Sequence, residues 1–471
     1  MYSASSISNG SRKRKITLLI IFAVVFVLFA LLSKKIDFHD VAEYITVAKY
    51  FAGIDNLNLF LGHSIVYSFI ISPIIKLFPS LLTFKLSNLI WLASIGAIFL
   101  FWLKKEKAFI IYAFAPLVWF IGLQTTPILP ATLFFFISFI FLTKTNHRHK
   151  LFLSGLFAGL SLAVYDPMFL VLGILILVFF WRRRVSELLA YLIAIAIGFS
   201  PRFLIDYLVF GNPAYSLIKF FGTNVIMALG IHPQGSTYTI VKQLTERGIL
   251  GVEGLLIILV VSPLLFKLYK VNPREIKKEL IFLVITGLVL FVRMSAVRYF
   301  FIIAPILILM LSEVLSKKDI KIHAAISIII IVLMTNSFFL DNHQVRIQED
   351  IKNFVDEFGD YQYAVVYPAN YANRLAFYSM ESTPRFVWFG DYSASLKDET
   401  FIRGYEFEIG GGQSPQLKDT LKVSAQFHRP EQKSYENYVI IAEKRHTLNE
   451  FEKIKCYQEV CVYKNKENQQ I

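Results

Sequence analysis

Cysteine is scarce, with 2 in 471 residues. That excludes a disulfide-stapled scaffold, and the pair lacks the second set of ligands a structural zinc site needs. Charge is scarce as well: 17% of residues are charged against 55% hydrophobic, too apolar for an ordinary water-soluble chain. No P-loop, zinc-protease helix or Gly-x-Ser-x-Gly turn occurs, so three common catalytic readings fall away. Nor is there a convincing internal repeat of the kind that builds many transporters.

What is present is apolar sequence in long runs. Ile16 to Leu32, Leu86 to Leu103 and Ile322 to Leu340 carry few or no charges and approach the roughly 20 residues that cross ~30 Å of hydrocarbon. The first run follows Arg12-Lys13-Arg14-Lys15 but is longer than the apolar core of a signal peptide. Leu31-Leu32-Ser33-Lys34-Lys35 offers no small-residue cleavage site, so the run reads as a retained helix.

The net charge of +14 is unevenly spread: residues 342–471 hold 16 basic and 19 acidic side chains, which leaves +17 for the rest. Those basic residues sit in short clusters between apolar runs, as the positive-inside bias requires and as a nucleic-acid groove would not. With Arg12 to Lys15 cytoplasmic, the clusters Lys104-Lys105-Lys107, Lys144 to Lys150, Arg182 to Arg184, Lys267 to Lys278 and Lys317 to Lys321 must each lie an even number of crossings away. They do so if Ser64 to Phe78, short and holding Pro73, lies along the outer surface as a juxtamembrane helix. Eleven spans are then expected, near 16–33, 85–103, 108–123, 128–143, 151–164, 167–181, 186–205, 249–267, 279–293, 299–313 and 322–340.

This predicts a mainly α, polytopic membrane domain over residues 1–341, with a first outer loop at 34–84 and a large outer loop at 206–248. In the first loop Val41, Tyr44, Ile45, Ala48 and Phe51 recur at helical spacing. A small extracytoplasmic α/β domain is expected over 342–471. There Tyr363 to Tyr367, Arg385 to Phe389, Tyr438 to Ala442 and Val460 to Tyr463 read as strands. Arg346 to Phe358, Asn370 to Met380 and Leu448 to Ile454 read as helices. A two-residue turn at Gln458-Glu459 would set Cys456 opposite Cys461 for a disulfide suited to an oxidising exterior. Gln-Glu is a poor turn, and two separate thiols are the equal alternative.

Chemistry-bearing residues concentrate after the first span, in Asp37-Phe38-His39-Asp40-Val41-Ala42-Glu43-Tyr44. Asp37, Asp40 and Glu43 at a membrane surface suit proton abstraction from a hydroxyl or a hold on a divalent cation such as Mg or Mn. Asp40 also suits the N-cap of the following helix. His63 opens the surface helix, as a structural residue or a hydrogen-bond donor. Asp166, in Tyr165-Asp166-Pro167, interrupts a long apolar stretch; it reads either as part of a tight turn or as an acid facing a polar cavity. Arg202, Arg293 and Arg298 lie near the outer ends of their spans, where they either snorkel to the interface or form a rim that binds phosphate.

Together these stretches resemble the GT-C superfamily of membrane glycosyltransferases, in the branch of protein O-mannosyltransferases and lipid A aminoarabinose transferases. Asp40 to Tyr44, followed by Ala48-Lys49, is similar to the Asp-Glu-x-x-Tyr stretch after the first span of that family. His63 to Tyr67 is similar to its His/Lys-Pro-Pro-Leu-Tyr helix start. Gly198-Phe199-Ser200-Pro201 through Phe210-Gly211-Asn212-Pro213 is similar to its span ending in Phe-Gly-x-Pro, and Arg298-Tyr299-Phe300 through Pro305 to its Arg-Tyr stretch. The resemblance implies an inverting transfer of a sugar from a polyprenyl-phosphate carrier to a lipid, glycan or protein acceptor outside the membrane. It places Asp40 at the family's catalytic aspartate, as general base, and Lys49, His63, Arg202 and Arg298 become candidates for the carrier's phosphate. Val41 stands where the second acid is usual, Ser64-Ile65 replaces Pro-Pro, and Gln124 to Pro127 lacks an acid, which weakens the case for a metal. A flippase for a lipid-linked saccharide and a non-enzymatic envelope assembly factor are the competing functions.

Overall fold

The computed structural model describes residues 9–33, 41–53, 63–124, 126–145, 149–181, 183–218, 220–221, 278–294 and 297–333. In the tail it describes 346, 350, 353, 357, 363–367, 385–388, 405–409, 423–427, 438–444 and 451–465. The chain forms two compact units. The first comprises Met1–Ser33, Lys85–Ser200 and Tyr238–Phe339; the second comprises Lys34–Phe84, Pro201–Thr237 and Leu340–Ile471. The second unit thus draws on each of the three segments that the charge pattern assigns to the outer side.

Among the described residues the first helices are α1 (Asn9–Leu32), α2 (Val41–Phe51), α3 (Val66–Leu77), α4 (Leu81–Ala97), α5 (Glu106–Phe114), α6 (Pro116–Gly122) and α7 (Ile128–Thr143). They continue with α8 (Lys150–Val164), α9 (Met168–Phe180), α10 (Val185–Phe210), α11 (Lys278–Met294), α12 (Val297–Phe300), α13 (Ala304–Val314) and α14 (Lys317–Leu333). A π-helical turn, Ile98–Trp102, extends α4. Helices stand at ten of the eleven expected spans, and the span at 249–267 lies outside the described residues. Arg12–Leu32, Leu82–Trp102 and Val185–Phe210 are long and apolar enough to cross a membrane by themselves. The protein is a mainly α, polytopic membrane protein with a small strand-bearing C-terminal part.

The expected single span at 108–123 is broken. Ala115 is extended (φ −66°, ψ 120°) because the ring of Pro116 excludes the helical conformation from the residue before it. The Ala113 carbonyl next to the break accepts a hydrogen bond from Trp119 Nε1 at 2.8 Å, as a polar group in an apolar setting must. Phe22 and Phe29 of α1 pack against the Trp119 ring, with centroids 5.4 and 5.0 Å away.

Elsewhere in the first unit, polar groups are paired inside the helix bundle. Asn88 donates to the carbonyls of Gly122 (2.9 Å) and Gln124 (2.6 Å), and Ser161 to that of Ala131 (2.7 Å). Helices α8 and α10 touch backbone to backbone: a Cβ placed on Gly159 would lie 2.2 Å from the Ile195 carbonyl oxygen, and one on Gly198 would lie 2.1 Å from that of Leu156.

Members of three basic clusters meet partners at one end of this unit. Arg14 meets Glu106 at 3.4 Å, Lys105 and Lys144 meet Glu313 at 3.9 and 4.0 Å, and Lys107 donates to the Leu315 carbonyl at 3.3 Å. These pairs are partly exposed, so each contributes at most about 1 kcal/mol; their interest is the common end they mark. Away from it, the buried Lys85 near the start of α4 donates to the Ser33 carbonyl just past the end of α1, at 2.5 Å. A cation there also complements the negative end of the α1 dipole.

In the second unit α2 and α3 pack together, with Ser68 Oγ donating to the Tyr44 carbonyl at 2.9 Å. Helix α3 buries Tyr67, Ile71 and Ile75 and leaves Phe69, Leu77 and Phe78 beside it exposed. The strands are β1 (Tyr363–Tyr367), β2 (Arg385–Trp388), β3 (Tyr405–Ile409), β4 (Val423–Phe427), β5 (Tyr438–Glu443), β6 (Phe451–Cys456) and β7 (Val460–Asn465). One sheet runs β2-β1-β5-β7-β6, with β1 parallel to β2 and β5 while β7 is antiparallel to β5 and β6. Strands β3 and β4 form a separate antiparallel pair.

The helix expected over Leu448 to Ile454 is a correction: Phe451–Cys456 is strand β6, an arm of a hairpin with β7. Long-range pairing overrides a local pattern too short to decide between helix and strand. Cys456 and Cys461 are register partners joined by a disulfide. The Gln458-Glu459 turn closes with Tyr457 N–H donating to the Val460 carbonyl at 2.8 Å. Its amides are satisfied from outside the hairpin: the buried Asp350 carboxylate accepts from the N–H groups of Gln458 (3.2 Å), Glu459 (2.5 Å) and Val460 (3.1 Å). Arg346, Asp350, Asn353 and Glu357 are helical, and the expected helix at Asn370 to Met380 lies outside the described residues.

Candidate functional site

Asp37 and Asp40 lie outside the described residues, as does the side chain of Glu43 on α2. Six residues after Glu43, Lys49 is buried, with 1% of its surface exposed. An ammonium so far from water is costly unless paired or held for an anion. The amphipathic pattern of α2 sets it beside Tyr44, Val47 and Ala48 in the inward-facing part of the helix.

The first turn of α3 approaches that helix. His63, three residues before α3, lies 5.8 Å from the Tyr44 ring, and Tyr44 lies 5.7 Å from Tyr67, centroid to centroid. On another side the His63 ring meets Phe220 at 6.5 Å. Phe220 belongs to the segment after α10, so α2, the start of α3 and the 211–221 segment converge on His63.

That segment is placed by the end of α10. Gly211 adopts φ +70° and its N–H bonds the Tyr207 carbonyl at 2.8 Å, the left-handed stop that glycine makes without strain. Asn212 Oδ1 accepts from Ala214 N–H at 3.0 Å, and Phe210 stacks on Tyr215 with centroids 4.0 Å apart. The chain is thereby folded back along α10, where Ser216 meets both Arg202 and Asp206. Arg202 Nε donates to Ser216 Oγ at 2.9 Å. Asp206 Oδ2 accepts from Ser216 Oγ at 2.7 Å and from Ser216 N–H at 2.9 Å. All three side chains are fully buried. Pro201, which precedes Arg202, cannot donate to the Ile197 carbonyl, and Ser200 Oγ takes that place at 2.8 Å.

The candidate residues are divided between the two units. Lys49, His63 and Arg202 are in the second; Asp166 and Arg298 are in the first, and the side chain of Arg293, the third arginine of the expected rim, lies outside the described residues. Tyr165-Asp166-Pro167 forms a turn, with Met168 N–H bonding the Tyr165 carbonyl at 3.1 Å and Phe169 N–H the Asp166 carbonyl at 3.0 Å. Asp166 is 1% exposed. Tyr165 stacks on Tyr299 (6.3 Å, 22°), and the Arg298 guanidinium lies 5.1 Å from the centre of the Tyr299 ring, with Nη2 donating to its hydroxyl at 3.3 Å. The turn bearing the acid and the stretch bearing the arginine are therefore neighbours.

Asp206 and Ser216 went unnoticed in the sequence. Asp206 had a signal, since it stands four residues after Arg202 on a helix, the spacing at which opposite charges meet. Ser216 had none, because its place depends on the reversal at Gly211. Among the described residues no three His, Cys, Asp or Glu side chains gather into a possible metal site.

A crystal structure of ArnT from Cupriavidus metallidurans in the apo state is similar to this chain with a TM-score of 0.58, over 95% of this chain and 97% of that one. The chain has the fold of ArnT. The sequence identity is 12%, so the likeness is one of architecture. A second crystal structure of ArnT, bound to undecaprenyl phosphate, gives a TM-score of 0.51 at the same 12% identity and the same coverage. No family model and no curated protein matches the sequence.

Proposed function

We propose that this protein is a membrane glycosyltransferase of the GT-C type that transfers a sugar from a polyprenyl-phosphate donor to a lipid, glycan or protein acceptor on the extracytoplasmic face. The observation that carries the reading is the full-length likeness to ArnT, one of whose structures holds undecaprenyl phosphate. Such a carrier needs an apolar bundle for its chain and cations for its phosphate. Lys49 and Arg202, both buried, supply candidates in one unit, and Arg298 supplies one in the other.

The sidedness follows from charge. Arg14, Lys105, Lys107 and Lys144 reach partners at one end of the first unit, which the positive-inside bias assigns to the cytoplasm. The N-terminus is then cytoplasmic, and the two outer loops and the C-terminal domain over 342–471 face outward. The Cys456–Cys461 disulfide suits that oxidising side. The exposed Phe69, Leu77 and Phe78 suit a helix lying on a membrane surface.

In the reaction, Asp40 takes the proton of the acceptor hydroxyl as its oxygen attacks the anomeric carbon. The bond from that carbon to the phosphate oxygen breaks, its electron pair leaves with the polyprenyl phosphate, and the configuration inverts. Asp37 and Glu43 support the base, and Asp166 is a further candidate acid. A positioned base contributes roughly 10²- to 10⁴-fold. Lys49 and Arg202 stabilise the charge that grows on the departing phosphate, His63 donates a hydrogen bond, and Arg298 is a further candidate cation.

The test is incubation of the purified protein with radiolabelled polyprenyl-phosphate sugars of several kinds. Release of polyprenyl phosphate with transfer of the label is expected. Movement of the intact donor across a vesicle membrane without cleavage would replace the enzyme by a flippase.

A further inference from the structure

We infer that Ser216 and Asp206 are positioning residues for the Arg202 guanidinium, fixing the orientation in which it meets the donor's phosphate; this rests on the role given to Arg202 above. Arg202 and Asp206 are one helical turn apart, and the Gly211 turn returns Ser216 to both. Asp206 Oδ2 accepts hydrogen bonds from the Ser216 hydroxyl at 2.7 Å and from its backbone N–H at 2.9 Å. A serine hydroxyl has one proton. With that proton given to Asp206, Ser216 Oγ can only accept, and it accepts from Arg202 Nε at 2.9 Å.

The polarity of the relay is thus set by the carboxylate. Nε marks one edge of a rigid planar group, so anchoring it fixes the plane and hence the direction of the paired terminal nitrogens. That plane decides whether an arginine makes two parallel bonds to a phosphate or one. Each member is fully buried, so water does not compete for these bonds.

The experiment measures binding of undecaprenyl phosphate to the purified full-length protein in detergent, alongside KM and kcat for a cleavable donor and the thermal midpoint. Arg202→Lys comes first, because it keeps the charge and removes the plane. Unchanged affinity there would overturn the role of Arg202 itself, and the positioning inference with it. Once Arg202→Lys is seen to weaken binding, Ser216→Ala is expected to weaken it roughly 10- to 100-fold. Ser216→Thr, which retains the hydroxyl, is expected to restore it, and Ser216→Ala placed on Arg202→Lys to add little. If Ser216→Ala does not fold, Ser216→Cys, with a weak donor and acceptor of similar size, takes its place. Wild-type affinity in the Ala or Cys variant would overturn the inference while leaving Arg202 in its role. Equal loss in the Thr and Ala variants would overturn it too, since the hydroxyl would then not be the cause.

Discussion

The rings of Tyr165 and Tyr299 stack 6.3 Å apart, which sets Asp166 and Arg298, the next residue to one and the residue before the other, into adjoining turns of the first unit. Tyr299 also lies beneath the Arg298 guanidinium and accepts a bond from it. Tyr299→Phe keeps the ring and loses the acceptor, whereas Tyr299→Ala loses both. Under the proposed role of Arg298, Tyr299→Ala is expected to lower kcat/KM for the donor roughly three- to tenfold more than Tyr299→Phe does. Steady-state kinetics on the two variants checks this order.

Gly198 opens the Gly198-Phe199-Ser200-Pro201 stretch, and the structure gives it a physical task. A methyl group there would lie 2.1 Å from the Leu156 carbonyl oxygen and 2.9 Å from its carbon. Both are backbone atoms, so relief requires moving α8. Gly198→Ala is expected to destabilise the protein by about 1–3 kcal/mol. Gly173→Ala, where a methyl group would meet open space, is expected to be neutral or to stabilise by about 0.4–1 kcal/mol. Thermal unfolding of both variants in detergent separates the two.

The helices were legible because hydrophobic runs and charge clusters are local signals: α2 occupies Val41–Phe51 and α7 Ile128–Thr143, the bounds that spacing and run length suggest. Pro116 was visible in the sequence too, but its consequence at Ala115 depends on a carbonyl rescue by Trp119 that no run length reveals. Strand β6 was misread because its partner lies beyond the turn at 457–459, and that turn looked poor because the acceptor of its amides, Asp350, is far away in sequence. The same holds for the candidate site. Arg202 could be singled out as a cation near a span end and Lys49 through the family resemblance, while Ser216 comes to Arg202 only through a glycine turn and a carboxylate.

Acid should loosen the link between the helical residues near 357 and the β6–β7 hairpin. Glu357 accepts from Lys455 Nζ at 2.6 Å and from the Tyr457 hydroxyl at 2.9 Å, and these two bonds hold its carboxyl below its ordinary value of 4.5. A carboxylate lowered on folding contributes stability that is complete above its unfolded value and is lost as the pH falls through the folded one. The exchange rate of the amides at 453–457 in the intact protein, corrected for its intrinsic pH dependence, is therefore expected to hold steady from neutral pH to the ordinary carboxylate range and to rise below it. In Glu357→Gln that acid-dependent rise should be much reduced.

The most direct measurement compares the wild type with Asp40→Asn, each purified and incubated with a polyprenyl-phosphate sugar that the wild type accepts, scoring the free polyprenyl phosphate formed. The account predicts steady release by the wild type and a fall of roughly 100-fold or more in Asp40→Asn, with the donor still bound and the fold intact. Release by Asp40→Asn at the wild-type rate would remove Asp40 from the chemistry, and failure of the wild type to cleave any donor would contradict glycosyl transfer itself.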